Sequence, residues 1–507
     1  MLDLGSTLLA AVERDPDALA IVDGERRTTY AQWFEEVGRV AAALTALPIE
    51  RGERLVVALQ NRHEMATLHW ACQLIGVVMT PVNWRVKPDE LDFVLTDAEA
   101  KAVVFEDNTA SAVAAAKVAQ GIPRIGIGGA HGATLEFDTL SAHDTTLAAS
   151  RATARDWSLM LYTSGTTGRG KGVPRRHYPE RAAALAHVAQ NQYGYAETTL
   201  GVMPLYHTMG VRSLLAMALI NGCFVCLPRF SAARALTLIE SEKVSNLYLV
   251  PTLYHDLLAD PNFPSTDLSS VRKLGFAGAP MTDGLLQRLV NAFQPELFVN
   301  HYGSSEIYTF TICTDAAAKP GSAGKAGLNQ RIRVVEIGTT DPNTTLDPNQ
   351  DGQIIASLGS DEAFEGYWNR PDADIKALHE GWYFTGDIGY WDDDGDLFVT
   401  GRVDDMIISG GENVMPVEVE SVLSLHPAVA EVAVAGIADE RLGQRTVAYI
   451  KRRSDVDGTA LDSHCRASDL ADFKRPRDYV FVQDVPKSPV GKILRRLLIA
   501  GEYEVDD

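Results

Sequence analysis

Residues 162–172 read Tyr-Thr-Ser-Gly-Thr-Thr-Gly-Arg-Gly-Lys-Gly, a hydroxyl- and glycine-rich stretch with a single lysine, directly after the apolar run Ser158-Leu-Met-Leu161. Successive glycines let backbone N–H groups converge on one concavity, the Ser and Thr hydroxyls add neutral donors, and Lys171 adds positive charge. That combination suits phosphate, and a nucleotide triphosphate is the expected ligand. Gly165, Gly170 and Lys171 also match a G-x-x-x-x-G-K spacing, but Gly172 stands where a Walker loop needs Ser or Thr for its metal. Taken alone, the segment also reads as a surface loop that happens to be rich in Gly and Thr.

Four further segments carry groups that could act on such a ligand. Met203-Pro-Leu-Tyr-His207 puts a histidine before the helix-compatible run Ser213–Leu219, where a capping or core role is the plain alternative. His301-Tyr-Gly-Ser-Ser-Glu306 follows the apolar run Leu297-Phe-Val299, a strand-end position at which α/β proteins bind ligands, and its carboxylate suits magnesium held on phosphates. Tyr383-Phe-Thr-Gly-Asp387 offers a carboxylate able to accept two ribose hydroxyls, or only a turn aspartate. Pro486-Lys-Ser-Pro-Val-Gly-Lys492 ends on a lysine beside Arg495-Arg496, which also reads as a solvated basic face.

The elements that must position these groups follow from periodicity. From residue 28 to about 300, helical patterns (Thr29–Leu47, Arg181–Gln190) alternate with short apolar runs (Leu55–Leu59, Ala102–Phe105, Phe224–Leu227, Leu247–Val250), which predicts layered α/β subdomains. From about 322 to 400 the turn signals Asp341-Pro, Asp347-Pro, Asp351-Gly and Asp393-Asp-Asp-Gly395 break short strands, predicting a β-rich, barrel-like subdomain. Beyond it, helix-compatible Met415–Leu425, strand candidates Val429–Val434 and Arg445–Ile450, and a last strand near Tyr479–Val482 predict a small α+β domain. The last of these is a domain of about 100 residues, within the usual range for a separate core.

At 507 residues the chain exceeds a single compact core. With 46 basic against 67 acidic residues its net charge is −21, which disfavours nucleic acid and anionic membranes as partners. The five scattered cysteines fit reduced thiols, and Cys223-Phe-Val-Cys226 is expected to be buried strand rather than a redox pair. No leader, membrane-spanning run or lipidation signal is evident, and the expected location is cytoplasmic, as monomer or homodimer.

Taken together and in this order, the segments resemble the AMP-forming acyl-CoA synthetase superfamily of adenylate-forming enzymes over about residues 20–500. The motifs that carry the resemblance are Thr163–Gly172, Pro204–His207, Tyr302–Glu306, Thr385–Asp387, Gly401–Asn413 and Pro486–Lys492. Phe276-Ala-Gly-Ala-Pro-Met281, Asp405–Asn413 and Leu470–Pro476 are most similar to chlorobenzoate- or benzoate-type aryl-CoA ligases. The resemblance implies ATP-dependent ligation of a small, aromatic or heteroaromatic acid to coenzyme A through an acyl-adenylate, with Mg2+ as cofactor. Its alternatives are an aliphatic, alicyclic or small dicarboxylic acid–CoA ligase, and a stand-alone adenylation enzyme loading a carrier protein.

On the same resemblance, Lys492, His207 and Glu306 are the catalytic group, Glu306 holding the metal. Thr163, Ser164, Thr166, Thr167 and Lys171 cradle phosphates, Gly278, Ala279, Pro280 and Tyr302 flank adenine, Asp387 with Arg402 fixes the ribose, and Gly165, Gly168, Gly303 and Ser305 are further ATP-binding positions. Val188, His207, Met209, Leu249, Ala279, His301, Gly303, Tyr308 and Thr309 form the acid pocket, with Arg212 a candidate for a second substrate carboxylate. Arg85, Gly410, Gly411, Arg475 and Arg477 meet CoA, and Asp404 is the hinge between an N-terminal domain over 1–403 and a mobile C-terminal domain over 404–507. Two departures stand out: Gly170 replaces the usual proline before the loop lysine, and Leu442 stands where related ligases carry a tryptophan.

Overall fold

The computed structural model describes residues 2–163, 170–487 and 493–506. Its first sheet runs, edge to edge, through Leu135–Glu136, Arg124–Ile127, Ala102–Glu106, Arg54–Ala58, Val78–Pro81, Trp157–Thr163 and Lys171–Arg176. Neighbours are parallel until the last pair, which is antiparallel and sets Thr163 opposite Lys171. The strands on either side of the glycine-rich segment are therefore paired with each other, and Thr163 and Lys171 are locked in register by them.

The second sheet combines two textures. Its parallel part orders Leu297–Tyr302, Lys273–Ala277, Asn246–Leu249, Thr198–Gly201, Cys223–Cys226 and Leu19–Asp23, with Arg26–Thr29 added antiparallel at the edge. On the other side of Leu297–Tyr302 the path becomes antiparallel through Thr311–Cys313, Ser322–Ala326, Leu397–Arg402, Trp382–Trp391, Gly352–Ser357 and Ile332–Val335. The turn-broken stretch expected from 322 onward is thus built onto the α/β sheet as its continuation, so that Asp387 and Glu306 come from one connected surface.

Between the two sheets lie the helices Tyr30–Leu44, His63–Ile75, His177–Gln190 and Thr208–Leu219, and one apolar cluster joins them to strands of both sheets, from Leu55, Val104 and Leu161 on one side to Ile21, Phe224 and Cys226 on the other. A helix covered on nearly every side loses its polar face, and in His63–Ile75 every residue except Glu64 is buried. Each fully buried large side chain here, Trp33 and Trp70 among them, contributes about 1.5–3 kcal/mol from removal of apolar surface. Cys223 and Cys226 lie in a buried strand as unbridged thiols, in keeping with the structural reading of that pair, and burial pushes the Cys226 thiol well up.

Strands Glu412–Val414, Ile407–Ser409, Gly443–Arg452, Val429–Asp439 and Asp478–Phe481 form a third sheet, and two apolar clusters around it draw only on residues from Ile407 to Tyr503. No apolar cluster among the described residues mixes side chains from before and after position 404.

Candidate active site

The two carboxylates singled out by motif lie at neighbouring places on the antiparallel extension. Asp387 is set opposite Arg402 by strand register and pairs with it at 3.1 Å. The Tyr302 hydroxyl, at the end of strand Leu297–Tyr302, donates to the Asp387 carboxylate at 2.6 Å. Asp387 holds the Arg402 guanidinium above the ordinary arginine range, despite partial burial that works the other way. An acceptor carboxylate flanked by a fixed cation and a phenol suits a vicinal diol.

Glu306 is buried, and its Oε1 accepts a 2.6 Å hydrogen bond from the Tyr367 hydroxyl. The Lys171 ammonium stands 4.0 Å from the centre of the same Tyr367 ring. Burial lowers the Lys171 amine below its usual range, against the attraction of Glu306. The Tyr383 hydroxyl lies 3.5 Å from that of Tyr367, and the Tyr383 ring packs on Phe310, which in turn meets Tyr302, so side-chain contacts run from Glu306 to Asp387. Tyr367 carries no spacing signal in sequence, because its place depends on the chain from 363 to 368 folding back over Gly172 and Glu306.

Behind this surface sits a buried ionic layer. Arg175 is fully covered, donates to Glu180 at 2.7 Å and to the carbonyls of Glu306 and Glu362 at 2.9 and 2.7 Å, and lies 4.1 Å over the Tyr308 ring. Burial works against its charge, but Glu180 and its other neighbours outweigh that and raise the guanidinium above its ordinary range. Arg175 therefore fixes the backbone of Glu306 from within. Removing one member of such a pair leaves an uncompensated buried charge, at a typical cost of about 3–5 kcal/mol.

The histidine of the Pro204–His207 motif is the N-cap of helix Thr208–Leu219, its Nδ1 accepting from Met209 N–H at 3.4 Å. The tight entry is enforced by Gly210, where an added Cβ would meet the Pro204 carbonyl at 2.2 Å.

The acid-pocket candidates divide into a rim and a floor. Gly278 takes φ +85°, with Met209 and Val250 beside it, and Ala279 and Pro280 follow at the surface. Gly303 is exposed, but a Cβ there would lie 2.1 Å from the Tyr308 carbonyl, so the chain passes itself too closely for any side chain. Ser305 and Val188 are half-buried and Leu249 is buried. His301, Tyr308 and Thr309 are deeply buried: the Tyr308 hydroxyl donates to Glu180 at 2.9 Å, and Thr309 Oγ1 accepts from Arg212 at 2.6 Å. Arg212 also donates to the Tyr308 carbonyl and the Tyr248 hydroxyl, which places it in the floor network.

The CoA candidates are spread over separate features. Arg85 is exposed and stacks on Trp84 at 3.9 Å, and Arg477 is exposed. Arg475 is buried, its guanidinium held by Asp462 and, at 3.0 Å, by Asp472. Gly410 and Gly411 are the two central residues of the hairpin joining Ile407–Ser409 to Glu412–Val414, at φ +63° and +89°, a turn that favours glycine at both positions. The Leu442 carbonyl accepts from Gly410 N–H at 2.8 Å, so the departure at Leu442 sits against this turn. Asp404 is exposed in the short turn Val403–Asp405, and Asp405 pairs with Arg495 at 3.4 Å. Thr163 closes strand Trp157–Thr163, while Ser164, Gly165, Thr166, Thr167, Gly168 and Lys492 lie outside the described residues.

A body of two packed sheets, a small third-sheet unit and the motif residues Lys171, Glu306 and Asp387 held on the larger body fit the fold of an adenylate-forming enzyme. The chain belongs to the AMP-binding enzyme family: that family's model matches residues 8–368, and the AMP-binding enzyme C-terminal domain matches 418–492. It is 31% identical over 498 residues to a 4-chlorobenzoate–CoA ligase of Arthrobacter sp, covering 96% of this chain and 93% of that one. It is equally 31% identical over 476 residues to the long-chain-fatty-acid–CoA ligase FadD13 of Mycobacterium tuberculosis, covering 93% and 92%. Among solved structures, the anthranilate CoA ligase AuaEII in complex with anthranoyl-AMP superimposes with a TM-score of 0.91 at 26% identity, covering 99% of this chain and 97% of that one.

Proposed function

We propose that this protein is an acid–thiol ligase that joins a small ring-bearing carboxylic acid to coenzyme A, forming AMP and pyrophosphate through an acyl-adenylate. The observation that carries the reading is the convergence of Lys171, Glu306 and Asp387–Arg402 on one connected surface. Aryl-acid relatives and the aromatic floor of Tyr248, His187 and His301, with ring centroids 4.8–5.3 Å apart, favour a ring acid. The fatty-acid relative supports an alkanoate as the second reading.

In the first half-reaction the acid carboxylate attacks the α-phosphorus of ATP and pyrophosphate leaves. Two negatively charged groups must meet, so charge neutralisation and alignment are what the protein supplies. Lys171 would rest on the β- and γ-phosphates, and Asp387 with Arg402 would hold the ribose. Glu306 fits Mg2+, since a single hard carboxylate alongside substrate phosphates is its usual protein donor set, and a bound Mg2+ would neutralise phosphate charge. Lys492 is assigned to bridge the carboxylate and α-phosphate, and the CoA thiol then displaces AMP, with the unit after Asp404 reoriented between the two steps.

The test is pyrophosphate release, AMP formation and thioester formation with ATP, Mg2+, CoA and a panel of benzoates, furoate, cyclohexanecarboxylate, octanoate and malonate. Ring acids turned over best, with CoA required for thioester, is the expected result. Preference for octanoate or malonate would discard the ring-acid reading. Thioester formed on a carrier protein but not on CoA would make this a loading enzyme.

A further inference from the structure

Directly beneath the rim formed by Gly278–Pro280 and Tyr302, three polar side chains from two elements and a helix end are buried together. Helix His177–Gln190 gives His187, the residue capping its C-terminus is Asn191, and strand Leu297–Tyr302 gives His301. His187 is fully covered, and Asn191 and His301 are each 2% exposed. The Asn191 amide nitrogen stands 2.8 Å from His187 Nδ1, 2.8 Å from the His187 carbonyl and 3.0 Å from His301 Nε2. Asn191 Oδ1 is 3.3 Å from the same His301 nitrogen.

The far nitrogen of each ring, His187 Nε2 and His301 Nδ1, is buried without a hydrogen-bond partner, as is Arg212 Nε beside them. A buried polar group left unmatched typically costs about 1–3 kcal/mol, so three in one place need an explanation other than packing. Burial, and then the neighbouring Arg212 charge, lower both imidazoles well below their ordinary range, so both are neutral. With Asn191 donating to His187 Nδ1, a neutral His187 carries its hydrogen on Nε2 and is a donor there.

The position points at the acid. His301 is one residue before Tyr302 and pairs across the sheet with Ala277, the residue before Gly278. Tyr248, one residue before Leu249, packs against both histidine rings, and Arg212 lies one helical turn beyond Met209. The cluster therefore adjoins the acid-pocket candidates Gly278, Met209 and Leu249 and is buried where Gly278 is exposed.

We propose that His301 and His187, oriented by Asn191, receive a hydroxyl borne by the substrate acid remote from its carboxylate. This rests on the acid–CoA ligase reading and narrows its substrate class to hydroxylated ring acids. A hydroxyl accepts from the His187 Nε2 hydrogen and shares its own hydrogen or lone pair with His301 Nδ1. A site built to bond a hydroxyl rejects the analogue that lacks it, because its own groups are then left unpaired.

The experiment compares kcat/KM of pyrophosphate release for 3- and 4-hydroxybenzoate against benzoate and 4-methylbenzoate, in the wild type and in the His301→Leu and His187→Leu variants. The wild type is expected to favour one hydroxybenzoate over both apolar acids by about 100-fold or more. In either variant that ratio should fall to within about threefold, carried mainly by KM, while His301→Gln, which keeps a polar atom, should retain part of it. A wild type that prefers benzoate or 4-methylbenzoate overturns the inference but leaves the ligase reading in place. So does a hydroxyl preference that survives both leucine variants. Absence of pyrophosphate release with every acid would remove the ligase reading, and the inference with it.

Discussion

At the scale of single residues, the site satisfies its charges internally before any ligand arrives: Glu306 takes a hydrogen from Tyr367, and Lys171 rests on the ring of the same tyrosine. Burial holds the Lys171 amine below its ordinary 10.5, so in the alkaline window just under that value part of the free protein carries a neutral amine. A polyphosphate placed beside it restores the charge, and binding must take up a proton there. ATP titrations at about pH 9.5 in two buffers of different ionisation enthalpy should give different apparent heats, with the difference lost in Lys171→Arg. Identical heats in the wild type would mean that phosphate does not meet this lysine. Motif reading reached Lys171, Glu306, Asp387 and Arg402 because each lies in a short run of informative residue types. Tyr367, Arg175 and Asn191 were not legible, since each gains its role from a partner more than 60 positions away or from depth of burial.

Among elements, helix and strand positions were legible wherever burial is one-sided or complete. The strand expected at Leu247–Val250 is Asn246–Leu249, and the helix expected at Arg181–Gln190 begins at His177. What periodicity could not provide was which strand neighbours which, so the joining of the stretch from 322 to the α/β sheet appears only in three dimensions. The turn after strand Leu297–Tyr302 depends on Gly303, whose missing Cβ lets the Tyr308 carbonyl pass. Gly303→Ala should cost about 1–3 kcal/mol of stability and weaken ATP binding at least several-fold, as Tyr302 and Ser305 shift with the loop. Urea denaturation and ATP titration check both, and an unchanged variant would show that the loop adjusts freely. Where two helices meet, the Leu4 N–H donates to His177 Nδ1 at 3.1 Å, and burial lowers the His177 pKa to about 4 from 6.5. The unfolded chain binds a proton there first as pH falls, so stability is unaffected above 6.5 and declines towards pH 4, by about 3 kcal/mol in full. His177→Gln, whose amide can still accept from Leu4, should show a shallower loss between about pH 7 and 4.5 in urea titrations. Parallel curves for variant and wild type would assign the acid sensitivity elsewhere.

For the whole molecule, the described apolar clusters end at Val399 on one side and resume at Ile407 on the other, a gap that contains Asp404. A chain ending at residue 403 should therefore fold, melt cooperatively and bind ATP within about tenfold of the intact protein, while releasing no pyrophosphate because Lys492 is gone. A fragment that aggregates or fails to melt cooperatively would mean the two units depend on each other for stability. Among the described residues no helix is long and apolar enough to cross a membrane, and the charge of −21 leaves nucleotide attraction to local groups rather than to the protein's field.

That partition has a consequence for damaged copies of the protein. With separate apolar cores, a lesion that unravels the part after 404 would leave the sheets before it standing, Lys171, Glu306 and Asp387 included. In a cell such a copy would be silenced rather than destroyed, a folded remnant that keeps its share of the protein pool while turning nothing over.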